Sequence, residues 1–134
     1  MNERAQVGLE YLVFTAFLLG MVVILFAYAF VTYSSSLQQA QTTAAVQQLA
    51  AAVDFVYAKG PGNAVLVDIT LPAGLNEFRV DHNAVLATIA QGNGSSSLFS
   101  FTKATISPQF LFYQPGIYTL RVSMQDQNVT VQNV

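Results

Sequence analysis

The chain of 134 residues has no cysteine and no tryptophan, and only one histidine. Without cysteine there is no disulfide, no thiol nucleophile and no thiolate metal site, although an extracellular location stays open. The histidine, His82, stands in Asp81-His82-Asn83, a polar break between apolar segments. A metal site or an acid–base pair needs further partners, so His82 reads as a solvated turn residue. Charge is also scarce: Asp, Glu, Lys and Arg make up 9 % of the chain, and the net charge of −2 comes with no basic cluster. Nucleic acid is therefore not expected as a partner. A hydrophobic fraction of 53 % is the reverse of a disordered chain. No nucleophile–base pair, phosphate loop or metal-ligand spacing occurs. Asp68, Glu77 and Asp81 each fall in an alternating strand pattern that solvent exposure explains. Neither an enzyme nor a cofactor is expected.

What the chain does have is a long apolar run, Tyr11 to Tyr33, with no charged member. As a helix its about 23 residues cover roughly 35 Å, against a bilayer hydrocarbon core of about 30 Å. Glu10 sits at its upstream edge, and no other charge follows before Asp54. Arg4, the only basic residue ahead of the run, weakly favours a cytoplasmic N-terminus with the remainder outside. A secretory signal cleaved after Ala27-Tyr28-Ala29 is the competing reading; it leaves Phe30 as an apolar new end, and the run is longer than such signals usually are.

Beyond the polar collar Ser34-Ser35-Ser36, the segment LQQAQTTAAVQQLAAAVDFVYAK is rich in helix formers. Val46, Leu49, Val53 and Val56, flanked by Ala45 and Ala52, form an amphipathic stripe. One helix is predicted from about Val7 to Ala58, softened locally at Gly20 and ended by Gly60-Pro61-Gly62-Asn63. The period then falls to two. Val65, Val67, Ile69 and Leu71 share one strand face, Phe78 and Val80 alternate with Glu77, Arg79 and Asp81, and 84–90 reads as another strand. Gln91-Gly92-Asn93-Gly94-Ser95-Ser96 reads as the clearest loop, with Phe99 and Phe101 alternating beyond it. Tyr118, Leu120, Val122 and Met124 alternate near the end, and Asp126-Gln127-Asn128 turns the chain into a last strand. Phe110-Leu111-Phe112-Tyr113 is apolar without an assignable period. The fold class predicted is α+β: a long N-terminal hydrophobic helix and a small antiparallel sheet or sandwich as head.

The stretch Ala5-Gln6-Val7-Gly8-Leu9-Glu10-Tyr11-Leu12 resembles the processing motif of archaeal type IV pilins, which carry very short signal peptides. In that family a prepilin peptidase cuts before a glutamine, a glutamate stands five residues into the mature chain, and an apolar helix follows. The resemblance covers positions 4–33 residue by residue and the head by architecture only. It implies cleavage between Ala5 and Gln6, and a division into a leader (1–5), a helix (6–59) that spans the membrane in the precursor and forms the filament core, and a β-rich head (60–134). Gly8, where serine is common, is similar to the archaellins of the swimming filament. Those generally lack the glutamate, so an adhesion-type pilus is favoured, with an archaellin-like subunit as an alternative.

The resemblance further implies that Glu10 pairs with the new α-amino group of Gln6, in its own chain or a neighbouring one. Helices then pack through Leu12, Phe14, Phe17, Leu18, Val22 and Leu25. The implied partners are copies of the chain, the prepilin peptidase, an assembly ATPase, a membrane platform protein and, for the precursor, the membrane itself. The implied location is the cell membrane and then an extracellular pilus. Two sequons, Asn93-Gly94-Ser95 and Asn128-Val129-Thr130, suit glycosylation of an exported head. A single-span tether carrying a β-domain that never polymerises makes no demand on Gln6 or Glu10, and is the alternative of a different class.

Overall fold

The computed structural model describes residues 3–92, 94–112 and 114–134, and of 3–5 and 110–112 the backbone alone. The architecture is α+β: among the described residues a helix α1 (Glu3–Lys59) precedes seven strands in two antiparallel sheets. The strands are β1 (Ala64–Leu71), β2 (Leu75–Asp81), β3 (Ala84–Gln91), β4 (Gly94–Phe101), β5 (Gln109–Phe112), β6 (Gly116–Gln125) and β7 (Asn128–Asn133). One sheet has the order β1-β6-β7 and the other β4-β3-β2-β5. The chain divides into two units, Met1–Ser36 and Leu37–Val134.

In the first unit α1 runs without interruption through Gly20. Its side chains from Gln6 to Tyr33 are exposed all round the helix. A helix that is apolar on every side belongs in a membrane or in the core of a larger body rather than on a water-facing surface.

In the second unit the later half of α1 buries one face. Ala45, Val46, Leu49, Ala52, Val53 and Val56 recur at helical spacing and are closed to solvent, as the stripe predicts. Thr42 is fully buried on the same face, and its hydroxyl donates to the Gln38 carbonyl at 2.8 Å, so it enters the core without an unpaired group. These residues join one apolar cluster with Ile69 and Leu71 of β1, Phe78 and Val80 of β2, Val85 and Ile89 of β3, Leu120 and Val122 of β6, and Val129 and Val131 of β7. Each large side chain so buried contributes roughly 1.5–3 kcal/mol.

The turn chemistry fixes the connections. Gly60 takes φ +88°, the left-handed conformation that glycine adopts without a Cβ penalty, and its N–H bonds the Val56 and Tyr57 carbonyls at 3.2 Å. Asn63 adds a side-chain cap, donating from Nδ2 to the Lys59 and Gly60 carbonyls at 3.0 and 3.1 Å. The segment between β4 and β5 then ties the two sheets together. Ile106 N–H donates to the His82 carbonyl at the β2–β3 turn, while Ser107 N–H donates to Val129 and Val129 N–H to Thr105.

One sequence expectation is corrected, and one open stretch is assigned. The expected loop over 91–96 is shorter: β3 reaches Gln91 and β4 begins at Gly94, with Ser95, Ser96 and Ser97 opposite Ala90, Ile89 and Thr88. Serines suit either a loop or an edge strand, and cross-strand pairing decided for the strand. Phe99 and Phe101 also lie on the outer face of β4, with Leu98 turned to the core. The period-less run at 110–113 contributes Phe110–Phe112 to β5, paired with β2; Tyr113 lies outside the described residues.

Candidate functional site

The candidate site is the apolar part of α1 around Glu10, the one charged group in the stretch Gln6–Tyr33. Helical periodicity groups its neighbours. Glu10 shares shallow surface concavities with Val7, Tyr11 and Phe14 on one flank, and with Leu9, Val13, Phe14 and Phe17 on the other. Phe14, Phe17, Leu18 and Leu25 follow on the same side at spacings of three, four and seven. Leu12, two positions on from Glu10, lies on roughly the opposite side, and Val22 falls toward the flank. The six apolar positions expected to mediate assembly are therefore distributed around the helix, and all are exposed, from 45 % at Val22 to 70 % at Leu12. Gln6 is exposed as well, while the side chain of Ala5 lies outside the described residues.

The threonine hydroxyls of this stretch are satisfied from within. Thr15 Oγ1 donates to the Tyr11 carbonyl at 2.8 Å and Thr32 Oγ1 to Tyr28 at 3.0 Å. The collar behaves alike: Ser34, Ser35 and Ser36 donate to Phe30, Val31 and Thr32. Back-bonding to the carbonyl four residues earlier is how short hydroxyl side chains enter an apolar medium. Glu10 has no such recourse, and among the described residues it has no hydrogen-bond or ion-pair partner. A lone carboxylate removed from water costs several kcal/mol unless it is neutralised or paired. By length and composition the helix is suited to cross a membrane.

Three carboxylates of the head have local partners. Asp68 accepts the Thr119 hydroxyl at 2.7 Å, and Glu77 lies 3.6 Å from Arg79. His82 is at the exposed β2–β3 turn with Nδ1 2.8 Å from Asp81 Oδ1, which also accepts the His82 backbone N–H. These hydrogen bonds from His82 hold the Asp81 carboxyl below the usual range. Of the sequons, Asn128 is exposed as the first residue of β7, just after the tight turn at Asp126, whereas Asn93 lies outside the described residues.

An exposed aromatic pair was not foreseen. The Phe99 and Phe101 rings sit edge to face with centroids 5.3 Å apart on the solvent side of the outermost strand. Alternation over 94–101 defines two faces; only the inward packing of Leu98 tells which is which. Comparison of the chain with family models, with curated proteins and with solved structures found no match.

Proposed function

We propose that this chain is a structural subunit of an extracellular archaeal type IV pilus of the adhesion type. It is made as a membrane-held precursor and polymerises through its N-terminal helix after residues 1–5 are removed by a prepilin peptidase. The observation that carries the reading is the contrast within one helix: apolar side chains exposed on every side, threonine hydroxyls bonded to their own backbone, and one carboxylate with no partner among the described residues. An anchor needs only the apolar length. A buried acid at a fixed position gains a purpose if it pairs with the amino group of Gln6 and so fixes the register of neighbouring helices.

In this reading the helix leaves the bilayer for a bundle of identical helices, with the platform protein and its ATPase acting from the membrane. The heads then coat the bundle, and Asn128 is open to glycosylation there. The chain itself performs no bond-making chemistry. The deciding experiment is mass spectrometry of the N-terminus in sheared extracellular and membrane fractions, paired with electron microscopy of the sheared material. Gln6 at the N-terminus of filamentous material is the expected result. Met1 confined to membranes would favour the single-span tether, and Phe30 in soluble protein would overturn both.

A further inference from the structure

The two sheets present four edges, and three of them are protected. β7 is covered by the segment before β5: Val129 exchanges backbone hydrogen bonds with Thr105 and Ser107, and Gln109 Nε2 donates to the Val131 carbonyl. β5 has only four residues. β1 carries the charge of Asp68 near its middle. Short strands, covering segments and charges are the usual devices that keep edges from pairing with another chain.

The β4 edge has none of these. Gly94-Ser95-Ser96-Ser97-Leu98-Phe99-Ser100-Phe101 contains no charge and no proline, pairs in unbroken register with β3 alone, and leaves its other side without a backbone partner among the described residues. Its outer face also bears the most exposed aromatic surface of the head among the described residues. Phe99 is 60 % and Phe101 69 % exposed, with Leu86 of β3 beside Phe99.

We propose that the β4 edge is a docking surface for the β4 edge of a second copy of this chain, the two strands pairing antiparallel about a two-fold axis. An edge of unpaired N–H and C=O groups is completed by another edge. Among the described edges, only β4 is at once long, uncovered and free of charge along its length. Two β4 edges bring together no like charges, and with outward residues opposite outward residues they merge the two Phe99–Phe101 pairs into one strip on a joined sheet. A two-fold contact closes after two copies. It therefore links heads in pairs and does not propagate a polymer, which makes it independent of the filament reading. An edge of eight residues is far short of the about 20–30 residues a side of a stable free-standing interface. The contact accordingly needs copies already held in one membrane or one assembly, where effective concentration is high.

The absence of cysteine permits a direct test. Full-length protein carrying Ser97→Cys on the outer face of β4, or Thr70→Cys on exposed β1 as control, is placed in phospholipid vesicles and treated with a short bismaleimide. The expected result is a dimer band for Ser97→Cys well above that for Thr70→Cys, returned to the control level when Phe99→Lys is added. Circular dichroism checks that this surface substitution leaves the fold intact. Equal cross-linking at the two positions, none at Ser97→Cys, or a Ser97→Cys dimer indifferent to Phe99→Lys would each overturn the proposal. Filament formation takes no part in the assay, so failure of either reading is told apart from failure of the other.

Discussion

The Asp54 carboxylate of α1 accepts the backbone N–H of Lys103 at 2.7 Å, joining the helix to the segment that links the two sheets. Asp54 is the first charge after Glu10, and it stands where the helix meets the strand-connecting segment. Asp54→Ala should destabilise the head by about 1 kcal/mol, since an N–H loses a charged acceptor but remains partly accessible to water. Asp54→Asn, which keeps an oxygen acceptor, should cost less. Urea unfolding of the full chain in detergent micelles, followed by near-ultraviolet circular dichroism, checks the order.

Among the described residues, Leu49 is the largest side chain that α1 buries completely. Leu49→Ala should cost 2–5 kcal/mol, within the range of about that size for core truncations. Leu37→Ala, on the exposed face of the same helix, should change stability by less than about 0.5 kcal/mol. The same unfolding measurement distinguishes them.

If the proposed function holds, Glu10→Ala should still insert in the membrane and lose its leader, because the apolar run is unchanged. It should yield few or no filaments, because the register contact to the new N-terminus is gone. Glu10→Gln should fall in between, keeping a hydrogen bond without the charge. Immunoblots of membrane and sheared fractions measure both steps separately. Filament recovery equal to the parent chain would sink the assembly role.

Asp81 titrates below the ordinary carboxylate range because His82 donates hydrogen bonds to it. A folded-state pKa lower than the unfolded one gives a contribution that is present above the unfolded value and lost as pH falls through the lowered one. For so exposed a pair the contribution is small, and the readable quantity is the titration itself. His82→Ala should move the Asp81 carboxyl up toward its ordinary range, seen in the pH dependence of its side-chain carbon resonance.

Most of the architecture was legible because single residues settled it. Gly60 and Asn63 stop α1 where the Gly-Pro-Gly-Asn run requires, and Val46, Leu49, Val53 and Val56 reach the core at the spacing that marks them. The division into two sheets was not legible, since alternation defines faces but not which edges meet. The same limit hid Phe99 and Phe101: serine and phenylalanine alternate in β4, and the larger side chains were not the inward ones. At the candidate site Glu10 and its apolar surroundings were plain in the sequence. That the hydroxyls of Thr15 and Thr32 close on their own helix required coordinates.

Those closed hydroxyls have a consequence for movement between environments. A helix whose threonines and serines bond only to itself has the same internal hydrogen bonds in lipid as it has against protein. Passing from one to the other breaks none of them, and the one charged group that the change of surroundings reaches is Glu10. If the helix makes the proposed transfer, its direction depends most on what Glu10 meets at the far side, because the apolar side chains around it are indifferent to the journey in polar terms.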